Sequence, residues 1–466
     1  MSMKKTVIIS VLAAAVSTSA IGVVSAAPAA SVNAAVSSST FYINDTLTPV
    51  RTITKNGVTL ISARDLGNAL GVVFSLTDSR TVLGYQEGLK FELKEGSASV
   101  LVNGEEAELA AAVENVNNSY YVELDSYLSA LGIEQSKDES GHVWIDLTKK
   151  VTGAEEPVWI NASTLLVSQL TEDGTRVDYK VNAANGAFEE LFRTTNASAL
   201  TVAPNGAKAA YTDETGAVYV IDLASKASSK VSGDDSIKPE LVWSADSSEL
   251  YFLQGDKGSV IAKLNLTDGK ITKVLEDKVD YKSDLAVSAD GKKFIYSVTK
   301  PGAVTADSNK PVESDDVTID MTGTEPQIYV YDSSVKDGKP AKLTEKADDK
   351  VFVGASADAG KAYYISSEEN KLSSLIAVGA DKSVQSLLEG KDVIAAVAAG
   401  DKLYALVAAA AAGEVYEIDA AGASKLLYTV SEDVTELAAG SGTPLAIVQD
   451  GAILVADNGK WKKVTK

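Results

Sequence analysis

A turn following a small-residue strand recurs at Ile160, Ala203, Ser244, Ser288, Ser356, Ala398 and Gly440, at intervals of 43, 41, 44, 68, 42 and 42 residues. A self-similar period of ~20–50 residues belongs to solenoids, propellers and related arrays. The runs between the turns read as strands. In the fourth unit Leu285-Ala286-Val287-Ser288 passes through Ala289-Asp290-Gly291 into Lys293-Phe294-Ile295-Tyr296; Ile328-Tyr329-Val330-Tyr331-Asp332 and Ala341-Lys342-Leu343-Thr344 follow. The third run returns as Val218-Tyr219-Val220-Ile221-Asp222 and Val415-Tyr416-Glu417-Ile418-Asp419, and the last unit has Ile453-Leu454-Val455-Ala456-Asp457. Alternating β-branched and aromatic residues bounded by Asp-Gly turns mark hairpins. Four strands in each unit of ~40 residues predict a β-propeller over residues 153–466. A β-sandwich needs no such fixed period. Seven landmarks point to seven blades, or to six if the outer two units complete one another. The first strand of each unit is poor in bulk (Val202-Ala203, Ala286-Val287-Ser288, Gly354-Ala355, Ala438-Ala439), which suits a crowded axis.

The one long interval holds an insertion at about 301–326, between the second and third strands of its unit, carrying Asp307-Ser308-Asn309 and Glu313-Ser314-Asp315-Asp316. Long loops inside compact repeats are functional or disordered. The first alternative has it project from one face of the propeller and contact a partner or a cation.

The N-terminal third has a different grammar. Lys4 and Lys5, an apolar stretch from Val7 to Val16 and the small exit Val24-Ser25-Ala26 form the three parts of a secretory signal peptide, 1–26. Residues 27–40 are a linker rich in Ala, Ser and Val. Over 41–150 two stretches resemble each other. Asn68-Ala69-Leu70-Gly71 returns as Ser129-Ala130-Leu131-Gly132, and Ile43-Asn44-Asp45 as Val102-Asn103-Gly104. Each copy carries a strand and then a short helix, with Leu66 and Leu70, or Tyr127 and Leu131, four apart on one face. Gly71 and Gly132 stop the helices where a left-handed residue is needed.

Val102-Asn103-Gly104, Tyr121-Val122-Glu123-Leu124 and the two Ala-Leu-Gly endings resemble the copper amine oxidase N-terminal-like domain, a duplicated α+β module of secreted bacterial proteins. Ile61-Ser62-Ala63-Arg64 and Val122-Glu123-Leu124-Asp125 stand where that family usually reads Val-Pro-Leu-Arg. The resemblance implies a spacer or envelope-associating element and does not imply copper. The repeats resemble the TolB-like propeller, whose grammar is Ser-Pro-Asp-Gly, an apolar strand, Ile-Tyr-Val-Asp and Leu-Thr. Ser288-Ala289-Asp290-Gly291, Ile328 to Asp332 and Leu343-Thr344 follow it, and Ala203-Pro204-Asn205-Gly206 keeps its proline. That family mostly serves recognition, although propellers also sit on peptidases and sugar-cleaving enzymes.

Composition narrows the chemistry. The chain of 466 residues has no cysteine and one histidine, His142, which removes thiolate nucleophiles, disulfides, zinc clusters and His-rich metal sites. His142 lies in an alternating strand and reads as a surface or packed residue. With 43 Lys and Arg against 64 Asp and Glu the formal charge is −21, which repels phosphate backbones and anionic lipid. Gly354 to Gly360 with Lys361-Ala362 imitates a phosphate loop, but it has a residue too many and no terminal hydroxyl. Ser297-Val298-Thr299-Lys300 meets Ser-x-x-Lys by letters only. Asp222, Asp332, Asp419 and Asp457 close strands, where Asp satisfies turn amides. A pair of carboxylates needs no sequence spacing and stays open.

The sequence thus predicts a mainly β, exported bacterial protein, secreted or associated with the cell envelope. It has a duplicated α+β domain and a propeller that binds a protein, cell-wall or polysaccharide partner, and no nucleic acid. The expectation is a non-enzymatic recognition or scaffold protein with no catalytic, cofactor or metal residues. The alternatives are a carboxylate-dependent carbohydrate-active enzyme on the propeller and a structural cell-surface protein.

Overall fold

The computed structural model describes residues 35–44, 46–77, 81–86, 89–137, 142–146, 150–306 and 317–466. They form two compact units that divide between Ile145 and Asp146. The leader at 1–26, positions 27–34 and the two acidic runs of the insertion lie outside the described residues.

In the first unit Val58–Ser62 runs into helix α1 (Ala63–Ala69), and Ser119–Glu123 into α2 (Leu124–Ala130). The two strands pair antiparallel, Ile61 opposite Val122, as the fifth and sixth strands of a seven-stranded sheet. Each helix is capped by the residue that ends its strand. The Ser62 hydroxyl accepts from Asp65 N–H at 3.2 Å, and the Glu123 carboxylate accepts from Asp125 and Ser126 N–H at 3.1 and 2.8 Å. Gly71 and Gly132, at φ 80° and 67°, follow the helices. Leu66, Leu70, Tyr127 and Leu131 are buried. A five-stranded meander, Val73–Leu76 to Glu105–Glu108, completes the unit. The first strand of the seven-stranded sheet, Val36–Ile43, begins inside the stretch expected to be linker.

In the second unit seven four-stranded antiparallel sheets follow one another along the chain. Their first strands are Ala154–Asn161, Thr201–Val202, Leu241–Trp243, Lys282–Val287, Asp349–Ala355, Asp392–Ala399 and Val434–Ala438. Each lies beside the first strands of the sheets before and after it, and Val434–Ala438 lies beside Ala154–Asn161. The strands therefore ring an axis, and the unit is a β-propeller with blades 1–7 in chain order. Every landmark turn falls at the end of an inner strand, so the count is seven and not six.

The second strands explain why these residues make blades. Successive side chains of a strand point to opposite faces, and each blade is covered on both. Phe294 packs towards blade 3 and its neighbour Ile295 towards blade 5. Leu165 and Val167 face blade 7, and Leu166 faces blade 2. Each of the seven junctions holds an apolar cluster of this kind. Each fully buried Leu, Ile or Phe contributes about 1.5–3 kcal/mol.

All four strands of blade 7 are C-terminal and none crosses into blade 1. The seam is closed by Lys466 N–H donating to Val151 O at 2.7 Å and Gly153 N–H donating to Lys466 O at 2.8 Å. The Trp159 indole N–H donates to Ala438 O at 3.4 Å. Trp243 does the same for blade 2, reaching Thr201 O at 2.8 Å. These two tryptophans depart from the expected small inner strands. Each inserts between blades and not into the axis, and each is buried.

Strands one and three of a blade run together and strands two and four run back. The starts of the inner strands and the second-to-third turns therefore share one face, the proximal face. The first-to-second and third-to-fourth turns share the distal face. The insertion leaves blade 4 between its second and third strands, on the proximal side, where Ala303–Ala306 pairs with Val317–Asp320.

Buried lysines tie several junctions on the proximal side. Lys238, six residues before its landmark, has a fully buried side chain. Its amine donates to Gly216 O of blade 2 at 2.9 Å, to Ser236 O at 2.7 Å and to Asp234 at 2.6 Å. Lys282 repeats the arrangement with Ser259 O of blade 3 at 2.9 Å, Asp277 at 2.7 Å and Val279 O. Removing one partner of such a buried pair costs about 3–5 kcal/mol. Lys238→Ala is expected to lower stability in urea unfolding by about 3 kcal/mol, while exposed Lys208→Ala stays within about 0.5 kcal/mol.

Candidate functional site: a carboxylate-lined axial mouth

Four residues before the landmark stand Glu156, Asp284 and Glu436 on the inner strands of blades 1, 4 and 7, and Glu240 immediately before the inner strand of blade 3. The same position holds Ala199, Phe352 and Ile394 in blades 2, 5 and 6. This register lies near the start of each inner strand, at the proximal mouth of the axis. Inner strands have neighbours on both sides, so a side chain exposed there opens to the channel or its mouth. Glu156 and Glu436 are exposed.

Bulges aim several of these groups. The ladder between first and second strands slips between Glu155 and Val158, between Ser283 and Ala286, and between Val434 and Glu436. Glu156 and Asp284 adopt left-handed backbone conformations at φ 54° and 55°. Such a conformation costs a non-glycine residue roughly 1–3 kcal/mol and gathers where function holds it.

Glu240 and Asp284 meet at the junction of blades 3 and 4. The bulge turns the Leu285 N–H towards Glu240, whose two carboxylate oxygens accept it at 3.0 and 3.1 Å. Burial pushes the Glu240 carboxyl up to about 7, with the Asp284 charge adding to the rise and the Leu285 N–H opposing it. The Ser283 hydroxyl donates to Asp284 at 3.0 Å. At the seam, partial desolvation by the neighbouring strands raises the Glu436 carboxyl although the residue is exposed, and the charges of Glu156 and Glu155 add to the rise. A desolvated carboxyl raised towards neutrality beside a second acid is an arrangement that can supply a general acid.

Between the two acidic sectors, blades 5 and 6 present a cleft of about 410 Å³ lined by Val351, Phe352, Val393 and Ile394, with Ser367, Ser373 and Asp392 at its rim. On the distal face a groove of about 530 Å³ separates blades 1 and 2. Its charges are spent on one another: Glu189 pairs with Lys180 at 2.5 Å and with Lys226 at 2.8 Å.

The residues weighed from sequence fall elsewhere. His142 is exposed in the first unit, edge-on to Tyr42 at 5.7 Å. Ser297 is buried in the second strand of blade 4, with no helix following it. Gly354 pairs with Tyr363 just after the bulge at Val353, and Ser356 to Gly360 is a turn in which Asp358 accepts from the Ser356 hydroxyl at 2.7 Å and from Gly360 N–H at 2.9 Å. Asp222, Asp332 and Asp419 accept turn amides at 2.8 to 3.1 Å. Asp457 accepts from the Asn458 side chain instead, at 2.8 Å. Sequence reasoning misses the mouth acids, although their common offset from the landmark is a signal for them. Among the described residues no group of three or more His, Cys, Asp or Glu is arranged to hold a metal ion, and no helix is long and apolar enough to cross a membrane.

Residues 42–145 match the family model of the copper amine oxidase N-terminal domain. No curated protein matches the chain. Among solved structures, the propeller domain of the Trilobed protease from Pyrococcus furiosus is similar at 15% identity and TM-score 0.46, covering 68% of this chain and 97% of that one. Acylaminoacyl peptidase from Pyrococcus horikoshii is similar at 14% and 0.46, over 69% of this chain and 53% of the peptidase, so the chain spans about half that enzyme's length. A putative TolB from Agrobacterium tumefaciens is similar at 18% and 0.37, over 55% of this chain and 89% of that one. The expectation of a non-enzymatic recognition or scaffold protein is corrected here. Chains with similar propellers include peptidases and an oligogalacturonate lyase, so this architecture does not mark a non-enzyme.

The Glu240 shift predicts a pH dependence of stability. The unfolded carboxyl ionises near 4.5 and the folded one near 7. The folded state therefore holds the extra proton between them, and its stability falls as pH rises through that window. The fall is on the order of 2–3 kcal/mol. Denaturant titrations from pH 4 to 8 are expected to show it, and E240Q to flatten the curve.

Proposed function

We propose that the proximal mouth is the working site of a carboxyl-dependent, glycan-cleaving enzyme, with Glu240 as general acid and Asp284 as its partner acid. The observation that carries this reading is the Glu240–Asp284 pair, in which one acid is raised to about 7 by burial beside another held by a strained bulge. In the reaction, protonated Glu240 gives its proton to the glycosidic oxygen as the bond to the sugar breaks. Asp284 meets the positive charge developing on the ring, either by bonding to it or by taking a proton from the attacking water. Tyr281, three residues before Asp284, is 39% exposed and at φ 64°, with Lys257 Nζ over its ring at 5.6 Å. The acids oppose polyanionic substrates and favour neutral or basic ones.

A second reading rests on the same contact. Both Glu240 oxygens already accept the Leu285 N–H, so the side chain also works as a tie between blades 3 and 4. The two readings separate in one experiment. Reducing-end release by the full chain from a panel of soluble polysaccharides is expected to fall by about 10²–10⁴-fold in E240Q and in D284N, with melting temperature near that of the parent. The parent rate should decline above pH 7 as Glu240 loses its proton. Full activity in both variants, or release from no polysaccharide, leaves the tie as the role of Glu240.

Export to the cell envelope belongs to the same proposal and is supported by the leader pattern of 1–26. Protein recovered from the medium or envelope of a bacterial host is expected to begin at Ala27, as N-terminal sequencing would show.

A further inference from the structure

We infer that the apolar cleft between blades 5 and 6 is the subsite for the acylated unit of a partly N-acylated amino-sugar polymer; this rests on the glycan reading above and names its substrate class. Val351 is 57% exposed and Ile394 50% exposed, although both lie on innermost strands. Apolar side chains left open at a channel mouth mark a place where something apolar is received.

The surroundings of the cleft narrow the occupant. In ring order blades 3 and 4 bring Glu240 and Asp284, blades 5 and 6 bring Phe352 and Ile394 at the same register, and blades 7 and 1 bring Glu436 and Glu156. The apolar sector is thus flanked on both sides by carboxylates. The complementary ligand has an apolar substituent with cationic groups along the chain on either side. A neutral glucan gives the acids no counter-charge. A polyuronate is repelled by them. A fully deacylated amino sugar leaves the apolar sector wet. A polymer with both free ammonium and N-acyl groups satisfies all three sectors.

The rim suits an amide and hydroxyls. The Ser367 and Ser373 hydroxyls are 2.9 Å apart, and Asp392 holds the Ser373 N–H at 2.8 Å. A basic, aliphatic peptide would match the charge pattern, but peptides gain affinity at strand edges by adding to the ladder. Both inner strands are bulged there, between Phe352 and Gly354 and between Val393 and Ala395, which breaks a regular edge.

The test is binding to the full chain, read by calorimetry. The probes are partly N-acetylated glucosamine hexamers, the fully acetylated and fully deacetylated hexamers, a neutral glucan hexamer, and a basic peptide with aliphatic residues. The partly acetylated hexamer is expected to bind about tenfold more tightly than the other sugars, and to weaken as NaCl rises from roughly 0.05 to 0.5 M. Ile394→Asn, at an exposed position, is expected to remove the preference over the deacetylated hexamer. E156Q with E436Q is expected to remove the salt dependence. Equal binding of the neutral glucan, or tighter binding of the peptide than of any sugar, overturns the inference. Selective binding without cleavage keeps it and overturns the hydrolytic reading. Cleavage of neutral glucan without selectivity does the reverse.

Discussion

Both faces of every blade must be dry. A second strand that is apolar only on alternate positions would leave one neighbour against polar side chains, so runs such as Leu250-Tyr251-Phe252-Leu253 and Phe294-Ile295-Tyr296 are apolar at every position and send successive residues to opposite junctions. One blade alone has nothing to cover either face. Stability is therefore a property of the closed set, as in other repeat architectures. With no cysteine in the chain, this burial takes the place that cross-links hold in small exported domains. The outer strands escape the demand: Ser228–Lys230, at the edge of blade 2, is exposed throughout.

The same geometry decides where charge collects. Inner strands come closest at the axis, so their exposed positions are few and near one another across blades. Carboxylates placed there lose solvent and face like charge: desolvation first, and then the charge of a neighbouring acid, raise the pKa of Glu240 beside Asp284 and of Glu436 beside Glu156. The distal groove shows the contrast. Lys180 and Lys226 sit on Glu189 there and neutralise it. The proximal mouth thus concentrates part of the chain's surplus of acid.

Much of this fold was legible because the period and the turn chemistry are local. Ser244-Asp246, Ser288-Asp290 and Ser356-Asp358 build one kind of turn from adjacent residues, with the serine hydroxyl on the carboxylate at 2.7 Å each time. The duplicated strand-helix units of the first domain were legible for the same reason, since Ser62 and Glu123 cap their helices from the preceding residue. The mouth was not. Glu240 reaches Leu285 across 45 residues and Trp159 reaches Ala438 across 279, and no window of sequence contains both partners. Small inner strands were expected because the axis is narrow. Trp159 and Trp243 show that the limit applies to what points at the axis and not to what turns aside between blades. Inferring that a propeller rich in binding loops is not an enzyme was an inference from fold to function, which fold does not support.

The junctions also explain why an insertion was tolerated in blade 4. Where one blade meets the next on the proximal face, the earlier blade's second-to-third turn offers a polar backbone group that burial would leave unpaired. Blades 3 and 4 answer a carbonyl with Lys238 and Lys282. Blade 6 answers an N–H with Asp392, which takes Ser373 at 2.8 Å. Between blades 1 and 2 the donor comes from the other side, as Arg176 reaches Ala197 O and Ser198 O at 3.0 and 2.7 Å. Blade 5 keeps the lysine, but Lys350 spends it within its own connection, on Lys346 O at 2.7 Å, Asp348 O at 3.0 Å and the buried Asp348 carboxylate. Among the described residues Lys350 thus draws nothing from the turn of blade 4. That turn could lengthen into the Ala303–Asp320 excursion without stripping a buried amine of its partners, whereas the same growth in blade 2 or 3 would remove Gly216 O or Ser259 O from a fully buried lysine.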